Sequence, residues 1–288
     1  MPSLKNKTVE TKDNRTKCLN CGNTYEGNYC PECGQKGSTK RLHLKGLVTN
    51  VFTTFVVGEN NFIHTLKSLC TRPGYMIREF ILGKRIRFVP PIKMLIYLVT
   101  IYALFSYVTG KDNSFFKEVE EKCEVITQDE DSYDEDFDEE VEETVEETLS
   151  LLQVLSSNRV YHALTNAFFF VIPYWLIFRK RKLERPDGRM LELNIAEHFY
   201  TMIYQSCLMM LFAIVILPVS HFVKTGDWQS FAFRNTLSVL FYIIIYKQIL
   251  KISWKRSVIM NIIAFISSTI FIAITIIAII IITIGLTH

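Results

Sequence analysis

The 288 residues carry no recognisable catalytic signature. There is no Gly-x-Ser-x-Gly elbow, no Walker loop to cradle phosphate, no His-Glu-x-x-His and no dinucleotide fingerprint. No apolar run follows Met1, so no cleavable secretory signal is expected. Charge is also thin, at 21% against 49% for the AVILMFWYC set, with a mean hydropathy of +0.18. Those proportions exclude a wholly disordered chain and a coiled-coil rod. The apolar residues are bunched, which argues against an average soluble enzyme. The length allows one or two globular domains, or a membrane domain with an appendage.

What is present is segregated. The net charge of +3 hides a basic first hundred residues, an intensely acidic stretch at 112–148 and an apolar remainder with basic punctuation. Four of the seven cysteines, Cys18, Cys21, Cys30 and Cys33, form two Cys-x-x-Cys-Gly knuckles separated by eight residues. Two residues between thiolates let one tight turn aim both sulfurs at a common point. The glycine after each second cysteine permits the positive φ that turn requires. The pattern predicts a zinc ribbon over 1–41 with a flexible N-terminus, and Tyr25 and Tyr29 supply apolar surface between the knuckles. Four cysteines fill the coordination sphere, so the expected Zn²⁺ is structural. A pair of disulfides is the competing reading, disfavoured because nothing marks the chain as secreted. Nearby cations are limited to Lys17, Lys36, Lys40 and Arg41 with no interleaved aromatics, so nucleic acid is not an expected partner.

Residues 42–88 read as amphipathic helices. Leu44, Leu47, Val48, Val51, Phe52, Phe55 and Val56 follow helical spacing over 44–57. A second segment carries Phe62, Ile63, Leu66, Leu69 and Cys70 and stops at Pro73-Gly74. A third carries Met76, Ile77, Phe80 and Ile81 and stops at Gly83. Because an apolar run follows at once, these helices are expected to lie in the bilayer interface; a small soluble helical core is the alternative. Cys70 falls on the apolar face and is read as packing. Lys84, Arg85 and Arg87 then form a cationic anchor for anionic head groups.

The run Tyr29-Cys30-Pro31-Glu32-Cys33-Gly34-Gln35, followed by Leu69…Arg72-Pro73-Gly74…Glu79-Phe80…Gly83-Lys84-Arg85…Pro90, resembles the DUF3667 family of uncharacterised bacterial membrane proteins with an N-terminal zinc ribbon. The resemblance spans roughly residues 18–105 by motif order. It implies the architecture and carries no activity.

Five stretches are candidate membrane spans: 89–109, 161–178, 199–222, 231–250 and 258–286. The expected fold is therefore an all-α integral membrane protein of about five transmembrane helices. The first span is 89–109, and the other four lie in a membrane domain at 161–288. Pro173 and Pro218 are expected to kink the second and third spans. The fifth, rich in isoleucine, must tilt or protrude. Cations cluster before the first span, after the second (Arg179, Lys180, Arg181, Lys182, Arg185, Arg189) and between the fourth and fifth (Lys247, Lys251, Lys255, Arg256). The positive-inside rule then places the N-terminus and ribbon in the cytoplasm and His288 outside, and the family resemblance implies a bacterial inner membrane. The 110–160 segment becomes an acidic extracytoplasmic loop. It holds 18 Asp or Glu between 112 and 148 against Lys117 and Lys122. A solvated loop is the plainer reading, with a divalent-cation collector as the sharper one.

Glu197-His198, with Glu192 and Asp187 nearby, was the one polar group worth weighing for metal or proton work, and an interfacial position explains it more simply. Asn166, Gln205, Ser206, Asn261, Ser267 and Ser268 read as hydrogen-bonding glue between spans. The expected function is non-enzymatic: a multi-pass membrane protein whose ribbon recruits or senses a cytoplasmic protein. The alternative is a small-solute or divalent-cation permease with the ribbon as a regulatory module. Partners are the lipid bilayer and possible cytoplasmic protein, and homo-oligomerisation stays open.

Overall fold

The computed structural model describes residues 15–39, 41–43, 60–108, 159–185, 188, 190–218 and 227–287. The helix expected at 44–57, the acidic stretch 112–148 and the first fourteen residues lie outside them. In chain order the described elements are β1 (Thr16–Lys17), β2 (Thr24–Tyr25), α1 (Asn60–Thr71), α2 (Pro73–Ile81), α3 (Pro91–Val108) and α4 (Arg159–Phe178). There follow β3 (Lys182–Glu184), β4 (Met190–Glu192), α5 (Ile195–Ile216), α6 (Asp227–Leu250) and α7 (Trp254–Thr287). The chain is mostly helical. Its strands form two antiparallel pairs, one in the ribbon and one hairpin between α4 and α5.

Helix α5 is the hub, with α3, α4, α6 and α2 packed around it. Its 22 residues rise about 33 Å, close to the roughly 30 Å of a hydrocarbon core. Among the described residues, Ile195–Ile216 and Trp254–Ile282 are long and apolar enough to cross a membrane, while Pro91–Ser106 and Ala167–Phe178 are apolar but shorter. The sequence expectation of five spans thus meets two helices that pass on length and composition together. Helix α6 is long, yet Arg234, Asn235 and Lys247 interrupt its apolarity. Pro173 does lie inside α4. Pro218 does not kink the third stretch, because α5 ends at Ile216 before reaching it.

Pro73 also reads differently in three dimensions. It does not merely stop α1: it starts α2 at the first helical position, where a missing N–H costs nothing. Arg72, pushed out of the helical region by the following proline, makes the corner at φ −148°. The apolar face of α2 is not laid on lipid. Met76, Ile77, Phe80 and Ile81 are buried by protein, and Phe80 meets the Tyr204 ring edge-on at 5.5 Å. Gly74 lets α2 cross α6 closely: its N–H donates to Gln248 Oε1 at 2.8 Å. Cys70 is exposed, not packed as its periodicity suggested.

One end of the bundle gathers most of the connections. Arg78 of α2 donates to the Glu184 carbonyl at 2.7 Å and to the Ile249 carbonyl at 3.0 Å, tying the α4–α5 hairpin to the end of α6. Tyr204 O–H donates to the Val89 carbonyl at 2.8 Å, and Val89 N–H donates to Thr65 Oγ1 at 2.9 Å. The Lys247 ammonium lies 4.3 Å above the Trp254 ring. The starts of α3, α5 and α7 and the ends of α4 and α6 therefore share one pole, and the three cationic clusters sit there together.

A Cβ at position 74 would overlap the Ile245 carbonyl oxygen and lie 2.5 Å from Gln248 Cβ. Gly74→Ala is expected to push α2 off α6 and lower stability by roughly 1–3 kcal/mol, read as a fall in unfolding temperature in detergent.

Candidate metal centre and its docking site

The two knuckles repeat one hydrogen-bond plan. Cys18 N–H donates to the Asn23 carbonyl at 2.8 Å and Gly22 N–H to the Cys18 carbonyl at 3.0 Å. In the second knuckle Cys30 N–H donates to Gln35 at 2.9 Å and Gly34 N–H to Cys30 at 2.8 Å. Gly22 (φ +83°) and Gly34 (φ +71°) occupy the left-handed turn that the sequence pattern required. The four sulfurs lie within 4.8 Å of one another. Cys18–Cys33 and Cys21–Cys30 are each 3.5 Å apart, far beyond an S–S bond of about 2.05 Å. Tetrahedral Zn–S bonds of about 2.3 Å would set sulfur edges near 3.8 Å. The constellation therefore fits a single metal ion.

Charge supports the same reading. The Cys18 thiol is shifted down to about 7. Burial pushes it up, but backbone N–H groups of Cys21 and Asn20 and the neighbouring thiols outweigh that. Cys21 is driven up to about 12. A backbone bond from Asn23 pulls it down, while burial and the Cys30, Cys18 and Cys33 sulfurs push it up by more. Sulfurs this close cannot all carry negative charge without a cation among them. Of the described residues, these four are the group placed to hold a metal. The second set weighed from sequence does not assemble. Glu192 is exposed and lies 3.8 Å from Lys182, and Asp187 is outside the described residues.

The ribbon has almost no core of its own: Cys18, Tyr25 and Cys30, with Cys33 against them. It is fastened to the pole at two places. At the first, Gln35 is buried and uses both ends of its amide. Its Nε2 donates to the Gly83 carbonyl at 2.9 Å, and its Oε1 accepts from Arg85 N–H at 3.2 Å and Ile86 N–H at 3.5 Å. Leu19 of the first knuckle sits on Gly83, whose φ of +109° and bare Cα allow the approach; a Cβ there would come within 2.8 Å of Leu19 Cδ1. Asn61 Nδ2 donates to the Ile86 carbonyl from the other side.

The second fastening is ionic. The Arg41 guanidinium forks onto Glu197, Nε to Oε1 and Nη2 to Oε2, both at 2.8 Å. Arg41 also donates to the Glu192 carbonyl, and Asn194 Nδ2 donates to the Leu42 carbonyl at 3.1 Å. Glu197 is at the third position of α5 and closes a capping box: Asn194 Oδ1 accepts from Glu197 N–H, and Glu197 Oε2 accepts from Asn194 N–H. The interfacial reading of Glu197-His198 left out their surroundings within the protein. Both are fully buried, because protein covers the start of α5. His198 Nδ1 meets Tyr246 Oη at 2.8 Å, and its ring stacks on that of Tyr246.

The Asn194-x-x-Glu197 capping box is legible in sequence and was passed over; Arg41 and Gln35 carry no local signal. Gln205 does bond across helices, to Ser238 at 2.8 Å, and Ser257 reaches the Ile243 carbonyl at 2.7 Å. Asn261 and Ser268 instead bond back within α7.

Two outcomes are expected. The purified chain should carry one divalent metal, and Cys30→Ser should lose it, as read by elemental analysis. Arg41→Ala should lower stability by about 2 kcal/mol, since it strips a buried carboxylate of its partner although Arg41 itself is partly exposed. Glu197→Gln in the same chain should recover part of that loss, a non-additivity read from thermal unfolding.

The model of a family described as a protein of unknown function (DUF3667) matches residues 59–103. That segment comprises α1, α2, the loop held by Gln35 and most of α3. No curated protein and no solved structure matches the chain. The match supports the assignment to that family through residues 59–103, a stretch that stops short of the ribbon.

Proposed function

We propose that this is a non-enzymatic multi-pass membrane protein whose ribbon, folded around a structural Zn²⁺, recruits a cytoplasmic protein to the membrane. In this reading α3 to α7 are five spans of a bacterial inner-membrane protein, with the ribbon inside and the C-terminus outside. Clustering of Lys84, Arg85, Arg179–Lys182, Lys247 and Lys255 at one pole supports that orientation, because cations resist translocation. A reducing cytoplasm would keep the four thiolates available to metal.

The observation that carries recruitment is the ribbon's two-sidedness. One side is committed to the pole through Leu19, Gln35 and Gly83. Elsewhere on the ribbon Tyr29, bridged to Lys36, is 61% exposed, and its sequence neighbours Glu26, Pro31 and Glu32 are exposed as well. A large aromatic on a rigid, metal-held turn beside carboxylates suits a partner with an apolar pocket rimmed by basic groups.

The test is affinity capture of the full-length protein in detergent. A stoichiometric cytoplasmic partner should be retained by wild type and lost from both Cys30→Ser and Tyr29→Ala, the latter keeping its metal. Retention by both variants would remove the recruitment reading. Topology is checked by single-cysteine labelling in intact cells. An impermeant reagent should modify Glu130→Cys but neither Glu184→Cys nor Ile252→Cys. The reverse pattern would turn the chain over and place the ribbon outside.

A further inference from the structure

The ribbon's two fastenings reach two parts of the pole, the Gly83–Ile86 backbone and the Glu197 carboxylate. Arg41, which trails the ribbon, chelates the Glu197 carboxylate directly. Arg85 belongs to the loop that Gln35 holds, and it too feels Glu197. Burial holds its guanidinium below its ordinary value, with Tyr200, Glu197 and Tyr204 opposing that shift. Glu197 in turn caps the first turn of α5, the helix on which α2, α3, α4 and α6 pack. Gln35 stands two residues past Cys33, and its carbonyl accepts from Cys30 N–H, so its position is part of the second knuckle itself.

A module with two-residue strands and a core made largely of its own metal ligands does not hold its shape without the metal. We infer that metal occupancy of the ribbon governs the pole: the loaded ribbon pins the Gly83–Arg87 loop through Gln35 and Leu19 and seats Arg41 on Glu197, and metal loss releases that loop and the first turns of α5. The protein is thereby metal-responsive, the ligand being the thiophilic divalent ion itself. The inference rests on the metal reading of the four cysteines and gives the ribbon a task inside the chain besides any partner. The first turns of α5 then lose the Arg41 counter-ion and keep their own Asn194–Glu197 cap, while Met202, Ile203 and Tyr204 further along remain buried in the bundle.

Hydrogen–deuterium exchange on the full-length protein in detergent, with metal content measured in parallel, tests it. Stripping the metal with a strong chelator should speed exchange at 83–87 and 195–200 by about tenfold or more, the scale of losing one or two hydrogen bonds to charged groups. Residues 202–213 should stay protected, and Zn²⁺ added back should restore the slow rates. Gln35→Ala should keep its metal yet exchange faster at 83–87. Two results would overturn the inference. In one, exchange rises in 16–37 but not at 83–87 or 195–200, so the ribbon folds for itself alone. In the other, protection is lost throughout 202–213, so the metal upholds the whole fold and signals nothing. A full-length chain that is folded yet metal-free as purified under reducing conditions would instead sink the metal reading beneath it.

Discussion

A carboxylate at the start of a helix that is sealed from water needs a cation, and the arrangement around Glu197 answers that need. Left alone at 0% exposure its ionised form would cost several kcal/mol. Three things offset the cost: the bidentate Arg41 fork, the backbone N–H of Asn194 and the positive end of the α5 dipole. The first comes from 156 residues away. The chain between the ribbon and α5 is thus constrained at both ends: Arg41 must reach the pole, and the hairpin β3–β4 must deliver Asn194 and Glu197 in capping geometry.

The pole also explains why α2 is protein-buried. A short helix with Met76, Ile77 and Phe80 on one face has two ways to hide it, lipid or protein. Gly74 settles the matter by removing the side chain that would block α6, and Gln248 then satisfies the first free N–H of α2. Arg78, one turn further along the same face, ties two carbonyls from separate connections. A helix so fastened is part of the bundle's floor.

The local features of this architecture were legible in the sequence, and the long-range ones were not. Cys-x-x-Cys-Gly encodes its own turn, so both knuckles and their positive-φ glycines could be read from spacing. The helical periods of 62–70 and 76–81 likewise appear as α1 and α2. Burial was harder. Apolar periodicity reports which face is hidden but not what hides it, so a protein-covered face was read as lipid-covered. Glu197-His198 was read as interfacial because charge beside an apolar stretch usually is; its partners sit at Arg41 and Tyr246, distant in sequence and unmarked by any pattern. Gln35 is a single polar residue in a polar segment, and only the fold shows that its amide is fully committed.

Helix α7 presents the opposite situation to α5. Ser257, Asn261, Ala264 and Ser268 are buried along one stripe, each three or four residues from the next, where small side chains let α4 and α6 come close. Around the remaining surface Ile259, Ile262, Ile263, Ile266, Ile270, Ile274 and Ile277 are exposed. Among the described residues no side chain covers those positions, so packing within the chain asks little of their shape. Substitution there among isoleucine, leucine and valine is close to invisible to the fold, whereas one added methyl at 264 is not. The helix therefore carries its structural information on one narrow edge, and its isoleucine-rich remainder is left unconstrained by the packing of the described chain.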